Sequence, residues 1–173
     1  MNKSAIKDMP EYYDRYINLI EDISLDEALN KYGYNLYNSV SDKLKELGNK
    51  VYSEKKWTIN EIIQHVIDSE RVFNYRALRF ARNDDNELPG FDENKYVPES
   101  DADKRTLIDL LNEFEYVRLS TITLFRSFSD EMLYRSGISS GKNISVLAIG
   151  FVIAGHSLHH FNTIKERYFP LLI

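Results

Sequence analysis

The stretch SVLAIGFVIAGHSLHHFNTIKERYFP, residues 145–170, combines a long apolar run with three of the four histidines of the chain. Its apolar residues recur at the spacing of an α-helix. Ser145 precedes the run, and Pro170 follows it, where proline cannot continue a helix. The pattern therefore predicts a last helix that begins after Ser145 and ends before Pro170.

The histidines of this helix interrupt its apolar face. Because positions four apart lie one turn apart on the same side, His156 and His160 are predicted to point inward together. Their face continues through Ile149, Ile153 and Ile164. His159 lies to one side and is expected at the rim. Gly150 and Gly155 leave room for a neighbouring segment to approach beside the histidines.

A second helix carries the remaining histidine. Thr58 and Glu61 form a capping-box pattern, which predicts the start of a helix. His65 follows on the inward face of that helix. The whole predicted face comprises Ile62, His65, Val66, Ser69, Val72, Phe73, Arg76 and Phe80.

The rest of the chain also has helical spacing and no long β-type alternation. We predict a short helix at 10–21, a helix from Ser24 that breaks near 39–41, and another helix at about 102–128. The polar connection 83–100 is unusually long, which is typical of a functional or partly disordered loop. Four amphipathic helices indicate an all-α four-helix bundle, and residues 1–173 are expected to form a single domain.

Composition narrows the classes of function. The chain has 173 residues, 43% of them hydrophobic, no cysteine, a net charge of −5 and a pI of about 5.4. The absence of cysteine excludes disulfides, thiolate metal sites and a cysteine nucleophile. The acidic balance argues against nucleic acid as a partner. No apolar run is long enough for a membrane span and no secretory signal is recognisable, so a cytoplasmic protein is expected.

The inward histidines predict a possible metal site. His65, His156 and His160 would meet in one core from two helices, and three imidazoles with an open position form a catalytic zinc-type arrangement. A pair of histidines four apart also occurs often by chance, at surfaces or as satisfied core residues. No HExxH motif is present, because Ser157 and Leu158 follow His156.

Three other side chains are candidates near this site. Glu61 or Asp68 could accept a hydrogen bond from a ligating ring, although the capping box explains Glu61 more simply. Arg76 lies further along the face of His65. It could bind an anionic group of a substrate or pair with a carboxylate, and the second arrangement is the commoner one.

Two segments carry a resemblance to a known family. WTINEIIQHVIDSERVFNYRALRFARNDDNELPGFDENKYV, residues 57–97, resembles the W…H…DxER…R block of the DinB/YfiT-like superfamily. ISVLAIGFVIAGHSLHHFNTIKERY, residues 144–168, resembles its GHxxHH ending, and residues 113–133 resemble its third bundle helix. The resemblance covers about residues 10–169.

The resemblance implies more than the pattern does. It implies a bundle with an up-down-down-up order and a three-histidine metal site whose ligands here are His65, His156 and His160. It further implies a divalent metal, usually Zn or Ni, and a homodimer. Some members of the superfamily transfer small thiols such as bacillithiol, mycothiol or glutathione. No DNA chemistry is implied.

Three hypotheses of function remain open at this point. The first is a metal-dependent S-transferase or hydrolase that acts on a small molecule. Its metal would activate a thiol or water, any thiol would be a cosubstrate, and the 83–100 loop could close over the site. The second is a non-catalytic metal-binding or interaction protein whose triad stabilises the bundle. The third is a dimeric bundle without metal.

Overall fold

Nine α-helices and one β-hairpin form the part of the chain, residues 1–172, that this computed structural model describes. The helices are α1 (Asp14–Ile17), α2 (Leu25–Lys31), α3 (Tyr34–Asn38), α4 (Ser41–Leu47), α5 (Ile59–Ala81), α6 (Glu93–Glu99), α7 (Leu107–Arg126), α8 (Asp130–Tyr134) and α9 (Val146–Thr163). The strands are β1 (Ser136–Ser139) and β2 (Lys142–Ser145). A π-helical turn, Ile164–Tyr168, and a 3-10 turn, Phe169–Leu172, continue the chain beyond α9.

Capping side chains set the starts of the long helices. At α5 the Glu61 N–H donates to Thr58 Oγ1, and the Thr58 N–H donates back to the Glu61 carboxylate, which confirms the predicted capping box. Ser145 caps α9 by accepting a hydrogen bond from the Ala148 N–H. The helix predicted from residue 102 starts later, at Leu107, because the Thr106 hydroxyl caps it there.

The two central helices α5 and α7 run parallel. Arg118 of α7 donates a hydrogen bond to Glu70 of α5. One turn farther along both helices, Asn74 of α5 donates a hydrogen bond to Thr121 of α7. Parallel neighbours need a connection that crosses the bundle. The long segment between α5 and α7 provides it.

The last helix runs antiparallel to α5. Tyr168, after α9, donates to the carbonyl of Trp57, before α5, and His156 of α9 meets His65 of α5. Helices α2 to α4 run parallel to α9, since Leu25, at the start of α2, packs at Gly150. Farther along, the Tyr37 hydroxyl donates to the carbonyl of Ser157. Together with the parallel pair α5 and α7, this order confirms the up-down-down-up bundle.

The N-terminal corner of the bundle is more broken than its periodicity predicts. The expected helix at 10–21 is helical only over Asp14–Ile17, although Tyr13, Tyr16, Ile17 and Ile20 are buried. The helix that starts after Ser24 already ends at Tyr32. There Arg118 donates to the carbonyls of Leu29 and Tyr32, which would otherwise need partners at the helix end.

Two elements of the connections also differ from the prediction. The 83–100 segment is ordered, because it contains α6, and the Asp92 side chain caps that helix. The connection between α8 and α9, where the sequence shows no long β-type alternation, is the hairpin β1–β2, whose register pairs Ser136 with Ser145. Its turn contains Gly141 at a φ of 72°, a conformation that suits glycine.

A polar belt crosses the middle of the bundle. The buried apolar side chains form two separate clusters. Each of α5, α7 and α9 contributes the apolar residues of one half of its length to one cluster and those of the other half to the second cluster. The buried polar side chains between them are His65, Ser69, Glu70, Arg118, Thr121, His156 and Ser157. The candidate site is part of this belt. Within residues 1–172, no helix is long and apolar enough to cross a membrane.

Candidate metal centre

Three imidazoles converge in the polar belt. His65 reaches in from α5, and His156 and His160 reach in from successive turns of α9. The Nε2 atoms of His65 and His156 are 3.2 Å apart, and those of His156 and His160 are 3.1 Å apart. One nitrogen from each ring lies within 4.8 Å of the others. The structure therefore brings together the three histidines that the sequence singled out.

The spacing of these nitrogens fits a single bound cation. Ring nitrogens that coordinate zinc lie about 2.0–2.1 Å from it, which puts two such nitrogens roughly 3.3 Å apart at a tetrahedral angle and about 2.9 Å apart at a right angle. The observed Nε2–Nε2 distances of 3.1 and 3.2 Å fall between those values. A set of three imidazoles suits Zn, Ni, Co or Fe.

The protonation of the rings also suits a metal. His65 and His156 are only 7% and 6% exposed. Burial lowers the pKa of His65 to about 4. Burial and the neighbouring imidazoles hold the pKa values of His156 and His160 well below the ordinary value. All three rings are therefore neutral at neutral pH, which is the form that binds a metal.

Aromatic neighbours fix the orientation of the rings. The Trp57 ring centroid lies 4.9 Å from that of His65, and Tyr16 meets His156 edge-on at 5.2 Å. Tyr16 comes from α1, whose backbone passes directly over Gly155. A Cβ atom at position 155 would overlap the Tyr16 carbonyl, so glycine is what allows this approach.

The remaining sequence candidates lie outside the triad. His159 is exposed, with its ring 5.1 Å from that of His160, in agreement with the predicted position at the rim. Glu61 is occupied by the capping box of α5. Asp68 accepts a hydrogen bond from Gln64 at 2.9 Å. In the described chain, neither carboxylate bonds to a histidine ring, because each is held by a partner on its own helix.

A cavity of about 350 Å³ opens beside the triad. His65 and His156 form part of its wall, and Arg76 lies in the same wall. The other lining residues are Tyr12, Tyr13, Tyr16, Ser69, Phe73, Gly90, Phe91, Glu93, Ser140 and Lys142. The centre thus faces a space that is large enough for a small organic molecule.

Arg76 is buried beside this cavity without a carboxylate partner. Its Nη2 donates to the Pro89 carbonyl at 3.0 Å and to Ser140 Oγ at 3.3 Å. Across residues 1–172, no carboxylate lies within 4.0 Å of its guanidinium. The commoner expectation, a pair with a carboxylate, is wrong, because the loop after α5 and the turn of the β1–β2 hairpin supply neutral oxygens instead.

Two further charged members of the polar belt, Glu70 and Arg118, were not predicted from the sequence. Arg118 donates to both carboxylate oxygens of Glu70, at 2.9 and 2.8 Å, and the Thr121 hydroxyl donates to the same carboxylate. The sequence contains a signal for this pair, because each charged residue lies on an apolar helix face. Glu70 follows Val66 by one turn, and Arg118 follows Phe114 by one turn. A buried ion pair beside the triad holds α5, α7 and α2 together.

The fold and the site together define a four-helix bundle protein with a centre of three imidazoles that faces a cavity. The sequence model of the DinB superfamily matches residues 12–164, and the chain belongs to that superfamily. It is 30% identical over 132 residues, 74% of this chain and 72% of the relative, to a protein of Oceanobacillus iheyensis named "Putative metal-dependent hydrolase".

A solved structure has the same fold. YfiT from Bacillus subtilis, described as "a probable metal-dependent hydrolase with an unusual four-helix bundle topology", matches with a TM-score of 0.69. The match covers 93% of this chain and 88% of that one at 19% identity. At this identity the likeness concerns the fold alone, and it agrees with the helix order described above.

Proposed function

We propose that the protein is a metal-dependent hydrolase that acts on a small molecule, with His65, His156 and His160 as the ligands of a divalent metal. The observation that carries this proposal is the convergence of three neutral imidazoles, two of them buried and the third half-buried, beside a cavity. A buried ring nitrogen needs a partner, and a single cation satisfies all three rings at once. The name of the Oceanobacillus relative supports the same reaction class.

A divalent cation held by His65, His156 and His160 would supply Lewis-acid chemistry, which makes water a stronger nucleophile at neutral pH. The residues of the chain position the substrate. Phe73, Phe91 and the tyrosines of the cavity wall hold an apolar body and keep bulk water out. Burial raises the pKa of Tyr16, so its phenol, which packs against His156 and accepts a hydrogen bond from Arg15, stays protonated.

The finer assignments of metal and cosubstrate belong to the same proposal. Zn or Ni is the expected ion, because both bind imidazole nitrogens and accept an open coordination position. Thiol transfer would use the same centre with a thiol in the place of water. A thiol of that kind would come from a cosubstrate, because the chain has no cysteine.

The first test is the metal content of the untagged protein, measured by plasma mass spectrometry after loading with Zn or Ni. We expect about one ion per chain in the wild type, and a loss of that ion in His65→Ala, His156→Ala and His160→Ala. His159→Ala is the matched control, because it removes a neighbouring exposed imidazole and should keep the metal. Equal metal content in all five proteins would overturn the assignment.

The second test separates the possible activities. The loaded protein is assayed on ester, amide and phosphoester substrates, and on electrophiles with and without a low-molecular-weight thiol. Hydrolysis that is lost in His65→Ala would support the proposal, whereas turnover that requires the thiol would identify an S-transferase. A loaded protein with no turnover, whose triad variants lose only thermal stability, would favour the non-catalytic alternative.

A further inference from the structure

Arg76 is a buried cation that lacks an anion. The residue is 3% exposed, as is Arg118, the other buried arginine of the described chain. Arg118 has both oxygens of Glu70 as partners. Arg76 meets only neutral groups, namely the Pro89 carbonyl, the Ser140 hydroxyl and the nearby phenol of Tyr13.

Burying a charge without a counter-charge is costly, and proteins rarely retain such a group without a use for it. Neutralisation of the side chain does not solve the problem here. Burial lowers the pKa of Arg76, but an arginine starts so far above neutral pH that the guanidinium keeps its proton. The missing partner is therefore an anion from outside the chain.

The cavity gives such an anion access. Arg76 lies in the cavity wall that also contains His65 and His156. The other charged residues of that wall are Lys142, which pairs with Glu11, and Glu93. Arg76 is thus the cation of this wall that, within residues 1–172, has no carboxylate within 4.0 Å of its guanidinium.

We propose that Arg76 binds an anionic group, a carboxylate or a phosphate, of the small molecule that occupies this cavity. The planar guanidinium suits either oxyanion, because it offers paired N–H donors. The proposal depends on the proposed function in one respect, since it takes the bound molecule to be the substrate of the centre.

The position of Arg76 also defines the length of that molecule. Arg76 follows His65 by eleven residues on the same helix, so their Cα atoms lie roughly 16 Å apart along its axis. Arginine side chains on a helix lean toward its N-terminus, which shortens the gap between the two functional ends. The ligand is therefore an elongated molecule with an anionic group at one end, an apolar or aromatic body, and the reacting group at the triad.

The test compares an acid with its neutral isostere on metal-free protein. The probes are 3-phenylpropanoate, 3-phenylpropanamide and phenyl phosphate, with dissociation constants from titration calorimetry after treatment with a chelator. Wild type should bind an anionic probe at least about tenfold more tightly than the amide, because a hydrogen bond to a charged group contributes about 1.5–3 kcal/mol. The anion that binds with the lower dissociation constant shows whether the site takes a carboxylate or a phosphate.

Variants assign the effect to one side chain. Arg76→Gln should abolish the preference for the anion, and Arg76→Lys should retain part of it. Lys142→Gln is the matched control, because it removes the other cation of the wall and should leave the preference intact. Should Arg76→Gln fail to fold, the Nε–H signal of Arg76 in the wild-type NMR spectrum must still shift with the acid and not with the amide.

The outcomes that overturn the proposal are clear. They are equal affinities for acid and amide in the wild type, an undiminished preference in Arg76→Gln, or no binding of any probe. Because the titrations use metal-free protein, they do not depend on the metal content of the triad. An anion site without metal would refute only the proposed function, and metal without an anion preference would refute only the role of Arg76.

Discussion

At the scale of single residues, Gly155 determines how closely α1 approaches the histidine cluster. An added Cβ would overlap the backbone carbonyl of Tyr16, which cannot rotate away as a side chain can. We expect Gly155→Ala to lower the free energy of unfolding by about 1–3 kcal/mol, as overpacking commonly does. The same change should weaken metal binding, because Tyr16 packs against His156. Urea denaturation and metal titration measure the two effects.

Gly150→Ala is the matched control for this prediction. It lies on the same helix, but its added Cβ would meet side-chain atoms of Leu25 and Phe125 rather than backbone. Both substitutions gain about 1 kcal/mol of helix propensity, so the difference between them reports the backbone overlap. A Gly155→Ala protein as stable as Gly150→Ala would show that α1 can move aside.

At the scale of elements, the ion pair between Glu70 and Arg118 ties α5 to α7 and ends α2. Glu70→Gln keeps the size of the side chain but leaves the buried guanidinium without a charge partner. We expect a loss of about 3–5 kcal/mol in the free energy of unfolding, measured by chemical denaturation. A loss below 1 kcal/mol would mean that Arg118 finds enough compensation in backbone carbonyls.

A surface pair provides the control at the same scale. Asp26 and Arg126 also join a helix to α7, but their side chains are 50% and 62% exposed. Because water already solvates both charges, Asp26→Asn should cost less than about 1 kcal/mol. The contrast between Glu70→Gln and Asp26→Asn therefore measures the effect of burial on otherwise similar ion pairs.

The sequence predicted those elements whose determinants are local. The caps at Thr58 and Ser145 lie next to the helices that they start, so α5 and α9 were predictable. The end of α2 at Tyr32 was not predictable, because Arg118, which stabilises that end, lies 86 residues away in the chain. The β-hairpin was also missed, since its strands of four residues are too short to show a reliable alternation.

At the scale of the whole molecule, the candidate centre joins the two halves of the core. The polar belt separates two apolar clusters, and the triad is the point where α5 and α9 meet within it. The convergence of the histidines was predictable because each one interrupts an apolar helix face. The environment of Arg76 was not, since it depends on where the loop at Pro89 and the hairpin at Ser140 come to lie.

A metal that links α5 to α9 should stabilise the whole bundle. An ion that binds only the folded state at a hundred times its dissociation constant adds about 2.7 kcal/mol to the free energy of unfolding. For a chain of this length, that corresponds to a rise of roughly 5–10 °C in the melting temperature. Calorimetry of the chelated protein with and without Zn or Ni measures the rise.

Single histidine variants test whether the rise in melting temperature comes from a metal bound at the triad. His156→Ala should lose it, because the Nε2 atom of His156 lies between those of His65 and His160. His159→Ala should keep it, since that ring is exposed at the rim. A rise that survives in His156→Ala would place the metal elsewhere, and the absence of a rise in the wild type would show that no added ion stabilises the folded bundle through the triad.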